Sequence, residues 1–192
     1  MKMHPFRYLI TAIVVFLAFS CDFNENIDEK HQVYNFDLKS LIEQQAKVLD
    51  QTKVSIKKHV EYDNKKEDVS IKEVDWSKEL DIFNDADINR PIFKESYQKT
   101  EKKEGDYNVI KFNSQNDKND VKWLSISKDN NGKIRKLMFE ISTKNSLFQV
   151  SKKGELLFDD KEILENYSLE GTNQIVFLGD KYFAVNAKVI QP

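Results

Sequence analysis

The chain has 192 residues, of which 32% are charged and 40% hydrophobic, and it carries a formal net charge of −2 at pH 7. Nucleic-acid binding needs a basic surface, so we expect no nucleic-acid partner for a chain with more acidic than basic residues. The single cysteine cannot form a disulfide within the chain and is free for another use.

Residues 1 to 21 are typical of a secretory signal. Lys2 and Arg7 give a positive start, residues 8 to 19 are mostly apolar, and the polarity reverses directly after Cys21. The apolar run is shorter than the roughly 20 residues that a membrane-spanning helix needs. Without the signal's two basic residues, 28 Lys and Arg face 32 Asp and Glu, a net charge of −4. The remaining 171 residues (192 minus 21) suit one domain.

The end of the signal resembles the cleavage box of bacterial lipoproteins, in which a small residue precedes a cysteine. Here Ser20 precedes Cys21, while Ala18 stands where the box usually has Leu, and Phe19 is bulkier than the usual residue. The resemblance implies that Cys21 is acylated and becomes the N-terminus. Each buried acyl methylene contributes about 0.8 kcal/mol, so two or more chains would hold the protein on a membrane. The alternative is an ordinary signal peptide that ends in a cysteine by chance.

The predicted organisation is a signal peptide at 1–21, a flexible tether at 22–34 and a single α+β domain at 35–192. The tether is polar and has no hydrophobic periodicity. We find no internal repeat. The five glycines all lie in the second half of the chain, between runs of β-type residues, and are predicted to occupy turns: Gly105, Gly132, Gly154, Gly171 and Gly179.

The domain is predicted to begin with a helix and a hairpin. The helix runs from Leu38 to about Gln51, with Asp37 as its N-cap. Its apolar stripe, which predicts that the helix packs against another element, consists of Leu38, Leu41, Ile42, Gln45, Val48 and Leu49. Apolar residues then alternate over residues 53–62, where Lys58 interrupts the apolar face. A polar turn at 63–68 and a second strand at 69–71 complete the predicted hairpin.

A second, shorter helix is predicted directly after the hairpin. Asp75 is its N-cap, and Trp76, Leu80 and Phe83 fall on one face at helical spacing. Pro91 ends the segment, because the residue before a proline avoids the helical region.

The same stretch resembles part of a family of uncharacterised bacterial lipoproteins. That family has a signal with cysteine, a helix, a hairpin, a Trp-x-Lys-Glu-Leu-type helix ending in Ala-Asp-Ile-Asn-Lys/Arg-Pro, and a β-rich tail. Here the motif reads Trp76-Ser-Lys-Glu-Leu80 and Ala86-Asp-Ile-Asn-Arg-Pro91. The resemblance implies a lipid-anchored cell-envelope protein and favours the outer membrane, but it brings no known activity. The inner membrane stays the alternative destination, because Asp22 directly after the cysteine acts as an inner-membrane retention cue in some bacteria.

The chain after Pro91 is predicted to form successive strands joined by short turns, which can pair only antiparallel. The predicted strands are residues 93–97, 107–112, 121–128, 133–142, 147–152, 155–158, 166–170, 174–178 and 182–190. The clearest turn is Asp129-Asn-Asn-Gly132, with glycine where a positive φ is needed. The predicted fold is α+β: a curved antiparallel β meander whose dry face is covered by the N-terminal helix and the second short helix.

One segment has the beginning of a metal-binding motif. Asp85-x-Asp87-x-Asn89 opens like a calcium loop, but Arg90 and Ser96 stand where that loop needs Gly and Glu. We therefore expect a turn stabilised by local side-chain hydrogen bonds, and no metal.

The remaining polar residues do not form a recognisable catalytic signature. His4, His31 and His59 lack the spacing of zinc ligands, and no phosphate-binding glycine loop or dinucleotide fingerprint is present. We expect no cofactor and no catalytic residue. Asp159 and Asp160, like the many other carboxylates, are expected on the solvated surface. An envelope enzyme that acts on glycan or peptide through two carboxylates is the alternative.

Large apolar residues of the second helix and the sheet are predicted either to fill the core or to contact an apolar ligand held between sheet and helices: Trp76, Leu80, Phe83, Trp123, Phe139 and Phe177. The leading hypothesis is a lipid-anchored, non-enzymatic cell-envelope protein that binds another envelope protein or such a ligand. A purely structural surface lipoprotein is a further alternative.

Overall fold

The computed structural model describes residues 33–175 and 179–191. The predicted signal, Cys21 and most of the predicted tether lie outside them. The helices are α1 (Leu38–Thr52), α2 (Trp76–Leu80) and two 3₁₀ helices (Asp81–Ala86 and Pro91–Phe93). The strands are β1 (Ser55–Tyr62), β2 (Lys65–Ile71), β3 (Tyr97–Glu104), β4 (Tyr107–Ser114), β5 (Val121–Lys128), β6 (Ile134–Lys144), β7 (Phe148–Phe158), β8 (Leu164–Ile175) and β9 (Gly179–Ile190).

The strands form one antiparallel sheet in the order β2-β1-β9-β8-β7-β6-β5-β4-β3. Strands β3 to β9 follow one another as a meander, and the N-terminal hairpin joins it because β1 pairs with β9. Both α-helices contribute side chains to the core on one face of the sheet. The predicted fold class, an α+β fold with an antiparallel meander covered by two helices, is confirmed.

Helix α1 forms where the sequence predicts it. The Asp37 carboxylate accepts a hydrogen bond from the backbone N–H of Ser40 at 3.0 Å, which caps the first turn. The buried side of the helix consists of Leu38, Ile42, Gln45, Ala46 and Leu49. Both polar groups of the buried Gln45 side chain are hydrogen-bonded. Its amide donates to the carbonyl of Glu162 at 2.9 Å, and its amide oxygen accepts from the N–H of Leu164 at 2.8 Å. These two bonds fix α1 to the turn between β7 and β8.

The second helix changes type after little more than one turn. It is α-helical over Trp76–Leu80 and continues as the 3₁₀ helix Asp81–Ala86. Trp76, Leu80 and Phe83 are at most 1% exposed. The Phe83 ring makes edge-to-face contacts with Phe139 and Tyr167 of the sheet, with ring centroids 6.1 and 5.2 Å apart.

The N-terminal hairpin has a tighter turn than the sequence predicts. β1 and β2 pair as far as Tyr62 and Lys65, so that only Asp63 and Asn64 connect them. Both connecting residues have positive φ, which is typical of a two-residue hairpin turn and is tolerated by Asp and Asn. The predicted turn at 63–68 is therefore wrong in its length.

Alternation along the strands gives the sheet a covered face and an open face. One continuous cross-strand row on the covered face consists of Val60, Val185, Leu169, Gly154, Phe139, Leu124 and Phe112. The row beside it on the open face consists of His59, Asn186, Ser168, Glu155, Met138, Ser125 and Lys111. Apolar side chains thus meet the helices, and polar side chains mostly meet solvent.

Two glycines lie inside strands, where the sequence predicts turns. Gly154 pairs with Phe139, and a Cβ at Gly154 would lie 2.2 Å from that ring. Gly171 pairs with Lys152, and a Cβ there would lie 2.2 Å from the backbone oxygen of Ser151. β7 and β8 therefore continue through these glycines, and the predicted breaks at 153–154 and 171–173 are wrong. The other three glycines have positive φ, as turns require.

The β5–β6 and β7–β8 turns repeat one geometry at a spacing of 30 residues. Asp129 Oδ1 accepts from two backbone N–H groups, those of Asn131 and Lys133. Asp159 Oδ1 accepts in the same way from Lys161 and Ile163. Each turn also closes with a bond between the first and fifth residues. The two hairpins form a structural repeat that the sequence does not reveal, because few of the side chains match.

Candidate functional site

The open face of the sheet is not covered by any described helix. Trp123 lies on this face: its indole N–H donates to Glu140 at 2.8 Å, and the Lys111 ammonium lies 4.9 Å from its ring centroid. A register shift between Val121 and Trp123 places these two residues on opposite faces. Trp123 is therefore not a core residue.

A hollow of about 490 Å³ lies on the open face where β1, β9 and β8 run side by side. We call it the open-face hollow. Its polar wall and apolar floor include His59, Leu157, Asn166, Ser168, Asn186 and Lys188. This volume falls in the range of roughly 300–1,000 Å³ that is typical of ligand sites.

Four uncharged polar side chains of the open-face hollow have no hydrogen-bond partner among the described groups: Ser70, Asn166, Ser168 and Asn186. Ser168 and Asn186 are directly opposite each other on β8 and β9, and Asn166 is two residues before Ser168. Alternation along β8 aims both Asn166 and Ser168 at the open face. Amides and hydroxyls supply donors and acceptors together, so this group can bind a polar ligand or a polar protein surface.

The open-face hollow also contains a His–Asp pair, with His59 Nδ1 2.8 Å from Asp68 Oδ1. Ser168 would complete the residue types of a hydrolase triad. However, Asn186 stands between His59 and Ser168, and two inter-strand spacings put their backbones roughly 9–10 Å apart. A serine nucleophile must lie within hydrogen-bond distance of its histidine, so the arrangement is suited to binding rather than to acyl transfer.

A second hollow, of about 690 Å³, lies on the covered face beyond the end of the 3₁₀ helix Asp81–Ala86. We call it the Arg90 hollow. Lys152 and Asp85 form an ion pair across it at 2.9 Å. Burial raises the pKa of Asp87, and this effect exceeds the stabilising contribution of the backbone N–H of Asn89. The guanidinium of Arg90 lies 4.5 Å from the centroid of the Phe93 ring.

Two carboxylates of the Arg90 hollow, Asp85 and Asp87, have local partners. Within residues 33–175 and 179–191, no three His, Cys, Asp or Glu side chains are grouped so that they could hold a metal ion. Asp87 Oδ1 instead accepts from the N–H of Asn89 at 3.0 Å. For the calcium-like segment the sequence predicts a turn with local side-chain hydrogen bonds, and the bond between Asp87 and Asn89 is one of this kind.

A third hollow, of about 1,000 Å³, lies where the β5–β6 and β7–β8 turns meet. Arg135 bridges the two turns: its Nε is 2.8 Å from Asp129, and its Nη1 is 3.1 Å from Asp160. Asp159, the other half of the Asp159–Asp160 pair, is committed to the backbone of its own turn. These carboxylates therefore stabilise the turns and do not form an acid–base pair.

The residues of the Trp76–Pro91 motif have mainly structural roles. Glu79 accepts from Lys58 and from the Tyr167 hydroxyl, and Ile88 is fully buried. The Asn89 side chain accepts from the backbone N–H of Tyr34 at 2.7 Å and so holds the beginning of the described chain. Pro91 starts the second 3₁₀ helix with Arg90 in an extended conformation. β3 begins only at Tyr97, and the strand predicted at 93–97 is wrong.

The structure places the predicted core or ligand residues in different environments. Trp76, Leu80, Phe83 and Phe139 are packed in the core, Trp123 is on the open face, and Phe177 and Cys21 lie outside the described residues. The side chains between the helices and the centre of the sheet are in contact, and none of the three hollows above lies there. The sequence placed His59 on the outer face, but Asn166, Ser168 and Asn186 were missed. Alternation with Tyr167 and Leu169 on β8, and with Ala187 on β9, is the signal that could have identified them.

Comparisons with protein-family models, curated proteins and solved structures yield no match to this chain. In the part of the chain that the structure describes, no helix has the length and apolar content to cross a membrane.

Proposed function

We propose that this chain is a lipid-anchored cell-envelope lipoprotein that binds another envelope protein through the open face of its sheet, without catalysis. The observation that carries the binding site is the open-face hollow, where Asn166, Ser168 and Asn186 have no partner among the described groups. The cysteine at the end of a secretory signal supports the anchor. The resemblance of residues 76–91 to envelope lipoproteins supports the same location.

A protein partner fits the structure better than an apolar ligand does. Trp76, Phe83 and Phe139 fill the space beneath the helices, and each is at most 1% exposed. The open face of the sheet is accessible, and its side chains are mostly polar. Polar, hydrogen-bonding surfaces with an occasional aromatic side chain are common in non-obligate protein interfaces. Trp123, half-buried between Lys111 and Glu140, is such a side chain.

The edges of the sheet favour docking on its face. β3 is the edge strand at one side, and its exposed residues include Lys99, Lys102 and Lys103. Lysines on an edge strand oppose the addition of a further strand from another chain. β2, at the other edge, carries Lys65 and Lys66. We therefore expect the partner to cover the open face.

Several observations favour binding over the carboxylate enzyme. Two of the carboxylates that line the hollows are held in ion pairs: Asp85 with Lys152 at 2.9 Å, and Glu155 with Lys136 at 2.5 Å. A glycosidase needs one carboxylic acid and one free carboxylate across a cleft.

Metabolic labelling tests the anchor. Bacterial cells producing the full chain are grown with an alkyne-bearing fatty acid, and the wild type is compared with the Cys21→Ser variant. We expect label and membrane association for the wild type and neither for the variant. Membrane retention of Cys21→Ser at the mature size would contradict the anchor.

Site-specific photo-crosslinking in the same cells tests the open face. The crosslinking residue replaces Asn186 in the open-face hollow, or Lys47 on the solvent side of α1 as the matched control. We expect a discrete adduct from position 186 that is absent at 47 and is lost when Ser168→Arg is added. Equal adducts from both positions, or none at 186, would contradict the proposed surface.

A further inference from the structure

The two ends of the sheet differ in their exposed apolar side chains. We call the end that contains the β1–β2 and β6–β7 turns the tether end, and the end that contains the β5–β6 and β7–β8 turns the polar end. The large exposed apolar side chains at the tether end are Val33, Tyr62, Ile92, Leu147, Phe148, Ile175 and Tyr182. Only Tyr107 among the described residues exposes a comparable side chain at the polar end, and Ile82 lies between the ends on the helical side.

Leu147, Phe148 and Ile175 form the most prominent apolar group. Leu147 is in the β6–β7 turn and is 67% exposed. Phe148 and Ile175 are directly opposite each other in the β7–β8 ladder, close to where both strands end. Ile92, which is 79% exposed, follows Pro91 in the second 3₁₀ helix, just before β3 begins at this same end. Exposing these apolar side chains to water is unfavourable, and burying them in an apolar environment would be favourable.

The described chain also begins at the tether end. The N–H of Tyr34 is bound by Asn89, and the next residue, Arg90, lines the Arg90 hollow together with Phe148. Asn35 donates to the carbonyls of Ile88 and Phe93, which fixes this beginning against the segment that leads into β3. Any anchor that precedes residue 33 therefore pulls on the tether end.

The length of the predicted tether restricts which end can meet a membrane. The sequence predicts a flexible tether up to residue 34, and a coil of 11 residues, the length of 22 to 32, has a typical span of roughly 20 Å. β8 and β9 each have 12 residues, so the sheet is about 40 Å long. A chain anchored at Cys21 thus keeps the tether end near the bilayer and the polar end away from it.

The polar end has the opposite character. Its hollow is lined by five carboxylates, Asp106, Asp129, Asp159, Asp160 and Glu165, and by three basic side chains, Arg135, Lys161 and Lys188. Charged and amide groups of this kind favour water over the hydrocarbon boundary of a membrane. The polarity of the surface therefore changes along the strands: the tether end exposes apolar side chains, and the polar end exposes charged ones.

We propose that the tether end rests on the bilayer surface, with Leu147, Phe148, Ile175 and Ile92 inserted at the level of the headgroups. This inference depends on the proposed anchor at Cys21. The charges of the tether end are mixed, since Lys65, Lys94 and Lys144 are accompanied by Glu95, Asp117 and Asp180. The contact is therefore apolar and does not require anionic lipid.

Fluorescence of the processed, membrane-extracted protein in phosphatidylcholine vesicles tests this orientation. A Trp123→Phe background removes the half-buried indole of the open face, and Trp76 stays buried as a constant background. Leu147→Trp then reports on the tether end, and Asn130→Trp is the matched control at the polar end. Both positions are exposed, so we expect unchanged unfolding midpoints. We expect blue-shifted emission and quenching by brominated lipid for Leu147→Trp only.

The outcomes separate the orientation from the anchor. Mass spectrometry of the N-terminal peptide reports whether Cys21 is acylated in the same sample. An acylated protein in which Leu147→Trp is unquenched, or in which both variants are quenched alike, overturns the orientation alone. An unmodified Cys21 thiol overturns the anchor and the orientation together. Quenching that requires anionic lipid overturns the apolar contact and assigns the attraction to the lysines of this end.

Discussion

Lys58 of β1 and Glu79 of α2 form an ion pair between the sheet and the second helix, with Nζ 3.0 Å from both carboxylate oxygens. Lys58 points to the covered face, where the sequence shows it as an interruption of an apolar row. The Tyr167 hydroxyl donates to the same carboxylate. The side chains of Lys58 and Glu79 are only 17% and 18% exposed. Three polar groups of the covered face thus satisfy one another beneath α2.

Glu79→Gln should destabilise the fold more than an ordinary surface change. The substitution leaves the Lys58 ammonium partly buried without its counter-charge. Because some water still reaches the pair, we expect a loss of about 2–3 kcal/mol in the free energy of unfolding. Urea unfolding measures it. Glu73→Gln is the matched control: this side chain is exposed, and we expect a change within roughly 0.5 kcal/mol.

Replacing the whole group tests the cause of that loss. The triple variant Lys58→Met, Glu79→Leu, Tyr167→Phe removes all three polar groups together and keeps similar volumes. Replacing a buried ion pair by apolar residues is often neutral, so we expect the triple variant to be more stable than Glu79→Gln alone. If the triple variant is less stable than the single one, the unpaired lysine is not the origin of the loss.

Gly154→Ala should destabilise the fold by overpacking. Its Cβ would lie 2.2 Å from the Phe139 ring, which is 1% exposed and packed in the core. Overpacking of this kind costs about 1–3 kcal/mol. Adding Phe139→Leu should recover part of the loss measured by urea unfolding, since the shorter side chain leaves room for the new methyl group.

Gly171→Ala provides the contrast. Its Cβ would lie 2.2 Å from the backbone oxygen of Ser151, and trimming a side chain cannot move that atom. We therefore expect a loss that Phe183→Leu does not recover, although Phe183 also lies close to the site. Equal rescue of both glycine variants would show that ring contacts alone determine the cost.

The contrast between these glycines and the turn glycines shows what the sequence could predict. Gly132 follows Asp129-Asn-Asn and Gly179 precedes Asp180, so turn-forming side chains accompany them. Gly154 and Gly171 are not directly preceded or followed by Asn, Asp, Ser or Pro. Their role depends on Phe139 and Ser151, which are on other strands, and only cross-strand register identifies such a contact. Local composition therefore predicts turns, but not close approaches inside a sheet.

The same limit applies to Trp123 and to the candidate site. The cap and stripe of α1 are local signals, and the sequence predicted that helix within one residue at its end. Trp123 is large and apolar, yet Leu124 and Ile126 occupy the covered face and direct it outward. The open-face hollow needs β1 beside β9, a pairing between the first and last strands that no local pattern encodes.

Asp87→Asn should alter the dependence of stability on pH. Burial raises the pKa of Asp87 above its ordinary value of 3.8. The folded state then binds this proton more tightly than the unfolded state, so stability falls as pH rises from 3.8 through the folded pKa. Asparagine cannot ionise and still accepts from the N–H of Asn89. We expect the variant to lose this decline and to be at least as stable as the wild type at pH 7.

Urea midpoints between pH 3 and pH 7 measure that dependence. Asp106→Asn, in the exposed β3–β4 turn, is the control and should leave the shape of the curve unchanged. A steeper decline in Asp87→Asn than in the wild type would contradict the assignment of the raised pKa to Asp87.

Tyr97→Phe should act on the alkaline side. Burial raises the pKa of Tyr97 from 10.0 to about 12, and its hydroxyl donates to the carbonyl of Val121 at 2.9 Å. Between pH 10 and 12 the unfolded chain loses this proton while the folded chain keeps it, so the stability present below pH 10 falls as pH rises. Removing the hydroxyl should cost about 1–2 kcal/mol at pH 7, because the Val121 carbonyl loses its donor.

Burial also raises the pKa of Tyr167, so the variant should keep part of the alkaline decline. Urea midpoints at pH 7, 9 and 11 measure both the loss of stability at pH 7 and the alkaline decline. Tyr107→Phe, at an exposed tyrosine, is the control. An alkaline decline as steep in Tyr97→Phe as in the wild type would show that Tyr97 does not contribute to this decline.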